Sequence, residues 1–267
     1  MLWGAWVMVV RNLGELAGVY AKIERAGEHV DNLRNALKSF GDENPQKIRP
    51  EYNVDSRKLS LVIADAKQLP PNIGILIGEC LYQQRSALDH LIWKLIEWAG
   101  NKPPAKSGFP IFTTPEGYKT RSGAMIKGLS ASAEKRIRSL QPFNRGAAAQ
   151  NDSLWKLQEL NNTDKHRLLI VTRTFLSGGI SDLGLYPPIH LRAGAFVYLA
   201  TRMPIENGNV LASFETAQRI VQVRGKLPIE IVFKEIGSTK NEPVIPLLTQ
   251  LTGQVRDIVS SFLPEFV

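Results

Sequence analysis

The 267-residue chain carries 33 Lys and Arg against 25 Asp and Glu, a formal net charge of +8, and is 43% hydrophobic and 22% charged. Those proportions fit an ordinary soluble globular protein long enough to build a core, and the moderate positive balance favours polyanionic partners such as RNA. A single cysteine, Cys80, excludes a disulfide framework and a cysteine metal cage, and fits a reducing cytoplasm.

The opening MLWGAWVMVVRN is apolar for about ten residues, too short to span a bilayer. It also lacks the basic start and cleavage site of a signal peptide, so no membrane partner is expected. From Leu13 to Phe40 an apolar stripe (Leu16, Val19, Ile23, Val30, Leu33, Leu37) predicts a helix. Between Ile48 and Leu69 the period changes to two: Tyr52 and Val54, then Leu59, Leu61 and Ile63, alternate around Asp55-Ser56-Arg57 as in a β-hairpin. Ile73 to Gly100 is the longest helical pattern, with Ile77, Leu81, Leu88, Leu91 or Ile92, and Leu95 at three- and four-residue steps. Pro70-Pro71 and Asn72 mark its start, and Gly100-Asn101 followed by Pro103-Pro104 its end.

A proline-rich connection follows, Lys102 to Pro110, then the short apolar clip Phe109-Pro-Ile-Phe112 and a basic helix near Ser130 to Leu140. Asn151 or Asp152 can cap a helix expected to run to about Leu176, where Ser177-Gly178-Gly179 ends it. The last third has β character: Leu191 to Ala200, Val210 to Phe214, Ile220 to Val223 and Ile229 to Phe233 are β-branched or aromatic runs between turn signals. A final helix is expected beyond Pro243, starting after Pro246 and running to Leu263. The predicted class is α+β, a helical bundle layer with an antiparallel sheet built from the early hairpin and the C-terminal strands. No stretch has the composition of a tether, so residues 1–267 are expected to form one interlocked unit.

Two polar constellations interrupt these apolar helices. Arg85-Ser86-Ala87-Leu88-Asp89-His90 lies in the middle of the most apolar helix, where unpaired charge is costly. Asn161-Asn162-Thr163-Asp164-Lys165-His166-Arg167 packs amides, cations and a carboxylate into about two helical turns. A structural account of the first is an i,i+4 pair between Arg85 and Asp89, with His90 bonded to a carbonyl or carboxylate. For the second it is an Asp164–Arg167 pair on the helix surface. A metal site on Asp89, His90, Glu97, Asp164 and His166 has enough ligands but lacks the paired Glu-x-x-His or His-Glu-x-x-His spacings of such centres. Walker A, Gly-x-Ser-x-Gly and Gly-x-Gly-x-x-Gly loops are missing, so neither a cofactor nor a metal is called for.

An Arg followed by His after four to six residues on a bundle helix resembles the HEPN superfamily, which includes metal-independent RNases of toxin–antitoxin and defence systems. The stretch from PPNIGILIGECLYQQRSALDHLIW to NNTDKHRLL is also similar to a widespread set of bacterial proteins. The HEPN resemblance implies catalysis by Arg85 and His90, with a homodimer supplying the partner motif and an antitoxin-like partner restraining the toxin. In such a mechanism His90 would take the proton from the RNA 2′-OH while Arg85 holds the phosphate. On the residues alone, His166 is a candidate for the second acid. Ser86, Asp89 and Asp164 are candidate supporting groups, and Lys165 and Arg167 candidate RNA phosphate contacts. The expectation is thus a metal-independent RNA-cleaving protein of a toxin or defence type. The alternative is a non-catalytic binding or scaffold protein with a buried Arg/Asp/His network.

Overall fold

The computed structural model describes residues 14–43, 47–167, 169, 171–175, 184–186, 188, 197–199, 203–216, 222–224, 229–234 and 237–266. Backbone contacts divide the chain into two compact units, one comprising residues 1–34, 74–169 and 235–267 and the other residues 35–73 and 170–234. Each is therefore assembled from separated stretches of sequence, where a single interlocked unit was expected.

The first unit is helical. Its long helices are α1 (Ala17–Glu43), which belongs to this unit as far as Arg34, α2 (Asn72–Trp98), which belongs to it from Gly74, and α6 (Val244–Ser261), with the shorter α3 (Pro115–Arg121), α4 (Ala131–Ser139) and α5 (Ser153–Asp164). α1 buries Val19, Ile23, Ala26, Val30 and Leu33, a stripe at three- and four-residue steps. It runs antiparallel to α6, since Tyr20 meets Ser260, Glu24 meets Arg256 and Arg34 meets Thr249. α2 lies against both: its buried Cys80 donates to the Ala26 carbonyl at 3.4 Å, and Gln84 Nε2 donates to the Leu248 carbonyl and to Thr252 Oγ1. Burial pushes the Cys80 thiol up to about 12, so it behaves as a core side chain.

The ends of α2 follow the sequence signals. It starts at Asn72 directly after the two prolines. At its other end Gly100 has φ +77° and its N–H donates to Glu97 O, while the Asn101 N–H donates to Ile96 O. That is the Schellman pattern, which needs the left-handed conformation that glycine adopts without a Cβ clash. Ser130 caps α4, and of the two candidates Asn151 and Asp152 it is Asp152 that caps α5. α6 begins at Val244 and not after Pro246. Proline is tolerated in a first turn, where its missing N–H has no intrahelical partner to lose.

The second unit holds the strands. β1 (Lys47–Asn53) and β2 (Lys58–Ala64) form the expected hairpin, with Asn53 opposite Lys58. The turn closes with Asn53 Oδ1 accepting from the Ser56 N–H and with Arg57 at φ +49°. β7 (Val210–Glu215) pairs antiparallel with β2, and β5 (Val197–Leu199) with β7, giving the order β1-β2-β7-β5. The early hairpin and late strands thus share one sheet, and the class is α+β. Leu59, Leu61, Ile63, Ile205, Leu211 and Phe214 form its core. Two smaller antiparallel sheets are present among the described residues. One orders β6 (Met203–Pro204), β3 (Val171–Phe175) and β9 (Ile229–Phe233), and the other pairs β4 (Gly184–Tyr186) with β8 (Gln222–Arg224). The helix expected to reach Leu176 stops at Asp164 instead, and Val171–Phe175 pairs as a strand with Phe233–Ile229. Its β-branched Val171, Thr172 and Thr174 favour the ladder over a helix. The opening apolar segment, Ser177-Gly178-Gly179 and residues 191–196 of the first expected late strand lie outside the described residues.

Candidate functional site

The polar cluster of α2 is built around Arg85. Its side chain is only 11% exposed, and Nη2 donates to Asp89 Oδ1 at 2.8 Å and to the Phe109 carbonyl at 2.6 Å. The same Asp89 oxygen accepts from the Phe109 N–H at 2.8 Å. One turn of α2 therefore satisfies both main-chain polar groups of Phe109, whose ring is fully buried. Gly108 permits the approach, because a Cβ there would lie 2.9 Å from Asp89 Oδ1. The far side of the clip is held by Gln141, whose Oε1 accepts from the Phe112 N–H and whose Nε2 donates to the Pro110 carbonyl. Burial pushes the Arg85 pKa down and Asp89 opposes the shift. Arg85 Nη1 is buried without a hydrogen-bond partner.

A cavity of about 390 Å³ opens beside this turn, lined by Arg85, Phe109, Ile111, Phe112, Thr113, Thr114, Arg121, Met125, Trp155, Gln158 and Asn162. Arg121 stacks on the Phe112 ring with its guanidinium carbon 4.9 Å from the centroid. Trp155, Gln158 and Asn162 recur at three and four residues along α5, so they share one face of it. Both charged side chains in the lining are cations.

His90 is not part of this arrangement. It is exposed, and its pKa is lowered by burial of part of the ring and by nearby Lys22 of α1, against the opposing pull of Asp89. Five helical steps turn it about 140° from Arg85, which accounts for the separation. Ser86 is half-buried and outside the cavity lining. Glu97 accepts from Trp93 Nε1 at 2.9 Å and pairs with Lys94. Among the described residues no group of three or more His, Cys, Asp or Glu side chains could hold a metal ion.

The second cluster meets α2 elsewhere. A Cβ at Gly78 would overlap the Asp164 carboxylate, lying 2.6 Å from its Cγ, so the two helices touch at that point. Gly78 precedes Asp89 by eleven residues, which is about 16 Å along the helix axis. Burial raises the Asp164 carboxyl above its ordinary value. Lys165 caps α5, and Lys165, His166 and Arg167 are exposed. The structure therefore joins Arg85 with Asp89, and Asp164 with the start of α2. Arg121, Trp155, Gln158 and Asn162 were not singled out together by sequence. For Trp155, Gln158 and Asn162 the local signal is the shared face on α5, and Arg121, at the end of α3, carries none.

No family model matches the chain, and no solved structure matches it. Among curated proteins it is similar to the small ribosomal subunit protein uS4c of Gracilaria tenuistipitata var. liui, at 32% identity over 97 residues. It is also similar to the uS4c protein of Rhodomonas salina, at 30% identity over 97 residues. The matched stretch is 34% of this chain and 47% and 46% of those proteins, so the chain spans about half the length of the curated relatives it matches. This likeness overturns the expectation of an RNA-cleaving toxin or defence protein, because the matched relatives are small ribosomal subunit proteins. It lends no support to a homodimer or an antitoxin-like partner. It favours the alternative, a non-catalytic binding or scaffold protein, although the buried network contains Arg85 and Asp89 without His90. Among the described residues no helix is long and apolar enough to cross a membrane.

Proposed function

We propose that this is a non-catalytic RNA-binding protein whose helical unit presents a cationic surface to the phosphate backbone. The observation that carries this reading is the concentration of charge between Pro115 and Arg145, which holds seven Lys and Arg against two Glu. Lys119, Arg121, Lys127, Lys135 and Arg138 are all exposed there, on α3, α4 and the turn between them. Exposed cations at this density release counterions from nucleic acid on binding, which supplies sequence-independent affinity. The similarity to two small ribosomal subunit proteins supports RNA as the partner class. The Arg85–Asp89 pair acts in this reading as the clamp that holds the Phe109 clip against α2. The HEPN-like resemblance enters as a likeness of the helical scaffold alone, without the cleavage chemistry.

Fluorescence anisotropy with a labelled single-stranded RNA, over a series of salt concentrations, tests the proposal. Binding should weaken linearly in log–log form, and the triple variant Lys119→Gln, Lys135→Gln, Arg138→Gln should reduce the slope by about two, at about 0.7 per phosphate contact. The RNA should be recovered intact. Absence of binding at low salt, or a slope unchanged in the triple variant, refutes the reading.

A further inference from the structure

We propose that the cavity between α2, α3 and α5 is a binding site for one nucleotide, taking its phosphate at Arg85 and Arg121 and its base against Trp155. This goes beyond a cationic RNA-binding surface, since the cavity would take a nucleotide either free or as one unpaired position of an RNA.

The first support is the state of Arg85. Its guanidinium is held by two bonds from Nη2, to Asp89 and to Phe109 O, so its position is fixed before any ligand arrives. Nη1 nevertheless has no partner and is shut away from solvent. A buried charged donor without an acceptor is costly, and a small turn of the guanidinium about its held Nη2 would bring Nη1 to an oxyanion in the adjoining cavity, where a charge-assisted bond would meet that need. Arg121 adds a second cation held on an aromatic ring, and no acidic side chain lines the cavity to repel an anion. Two guanidinium groups with the Thr113 hydroxyl suit the several oxygens of a phosphate better than a single carboxylate.

The rest of the lining describes the remainder of the ligand. At about 390 Å³ the space is much larger than a bare phosphate needs and lies in the range of small-ligand pockets, about 300–1,000 Å³. Trp155 offers a ring on which a base can stack. Gln158 and Asn162, on the same face of α5, carry amides that both donate and accept, as the edge of a base requires.

The test uses the full chain, with calorimetric titration of AMP, UMP, adenosine and inorganic phosphate, and anisotropy with a single-stranded RNA and its duplex. Arg121→Gln and Arg85→Lys probe the phosphate end. Trp155→Leu probes the base end without changing charge, and circular dichroism checks that each variant is folded. If a mononucleotide binds, adenosine does not, and all three variants weaken binding at least about tenfold, the ligand is the free nucleotide. If mononucleotides fail but single-stranded RNA binds better than duplex and Trp155→Leu weakens it by that factor, the occupant is an unpaired nucleotide of RNA. If RNA binds equally well to Trp155→Leu and mononucleotides do not bind, the cavity proposal is overturned while the RNA-binding reading stands. Adenosine binding as tightly as AMP also overturns it, and binding of neither RNA nor mononucleotide overturns both.

Discussion

Replacing Asp89 by alanine would expose how much of the helical unit depends on one carboxylate. The change removes the counter-charge from a guanidinium that is 11% exposed and strips the acceptor from the Phe109 N–H. Breaking a buried ion pair from one side costs about 3–5 kcal/mol, and Asp89, at 36% exposure, lets solvent moderate that figure. The lost main-chain hydrogen bond adds about 1 kcal/mol. The expected loss for Asp89→Ala is therefore about 2–4 kcal/mol, a fall in melting temperature of about 4–16 °C at roughly 2–4 °C per kcal/mol. Arg85→Met keeps the aliphatic volume and leaves Asp89 bonded to Phe109, so it should cost less, about 1–2 kcal/mol. The double variant should fall short of the sum by about 1–2 kcal/mol, because the two residues share one network. Urea titrations followed by tryptophan fluorescence report on the helical unit, where Trp93, Trp98 and Trp155 lie. Single losses below about 0.5 kcal/mol, or strict additivity, would refute the clamp.

The contact between Gly78 and Asp164 makes a second prediction. Alanine in place of a mid-helix glycine normally stabilises by about 1 kcal/mol, but Gly78→Ala should gain nothing in the native background and recover that gain only on an Asp164→Ala background, as read by the same titrations. Because burial raises the Asp164 carboxyl, its ionised form is disfavoured in the fold; Asp164→Asn should raise the melting temperature at pH 7, with the gain shrinking as the pH falls into the carboxylate range. Burial lowers the pKa of His29, with Glu79 opposing at 3.3 Å, so the fold prefers the neutral ring. Stability from that preference is complete above the ordinary histidine value of about 6.5 and is lost as pH falls through the lower folded value, so His29→Gln should flatten the decline in melting temperature between about pH 7 and 5. A His29→Gln profile as steep as the native one would show that the ring does not titrate on unfolding.

Much of this architecture was legible because its signals are local. The α2 stripe, the Pro70-Pro71 entry, the Gly100-Asn101 exit and the alternation of Leu59, Leu61 and Ile63 each depend on neighbours a few residues away. Ile170 to Phe175 was not legible, because the run LLIVTRTF suits a buried helix or a strand equally. The choice is made by β9, more than fifty residues later, whose edge offers Val171–Phe175 a ladder. Pattern over a short window carries no information about that partner. The cavity was hidden for the same reason. Its lining comes from α2, the Phe109 clip, α3 and α5, and only the folded chain brings Arg121 and Trp155 to the side of Arg85.

The Arg85–His90 spacing shows how helix geometry separates residues that sequence presents as a pair. Four steps return a side chain to nearly the same face, so Arg85 and Asp89 lie one above the other and close an ion pair at 2.8 Å. Five steps carry His90 about 140° around, onto the exposed side near Lys22. A single helix can therefore make a clamp from Arg85 and Asp89 but cannot by itself aim Arg85 and His90 at one phosphate unless the arginine reaches around. That reach is already committed, because Nη2 is held by Asp89 and the Phe109 carbonyl. Swinging the guanidinium toward His90 would break both bonds and strand the Phe109 carbonyl inside the unit. The free donor, Nη1, belongs to an arginine that lines the cavity. The same bonds that hold the clip in place thus separate Arg85 from His90 and leave it lining one cavity with Arg121 and Trp155.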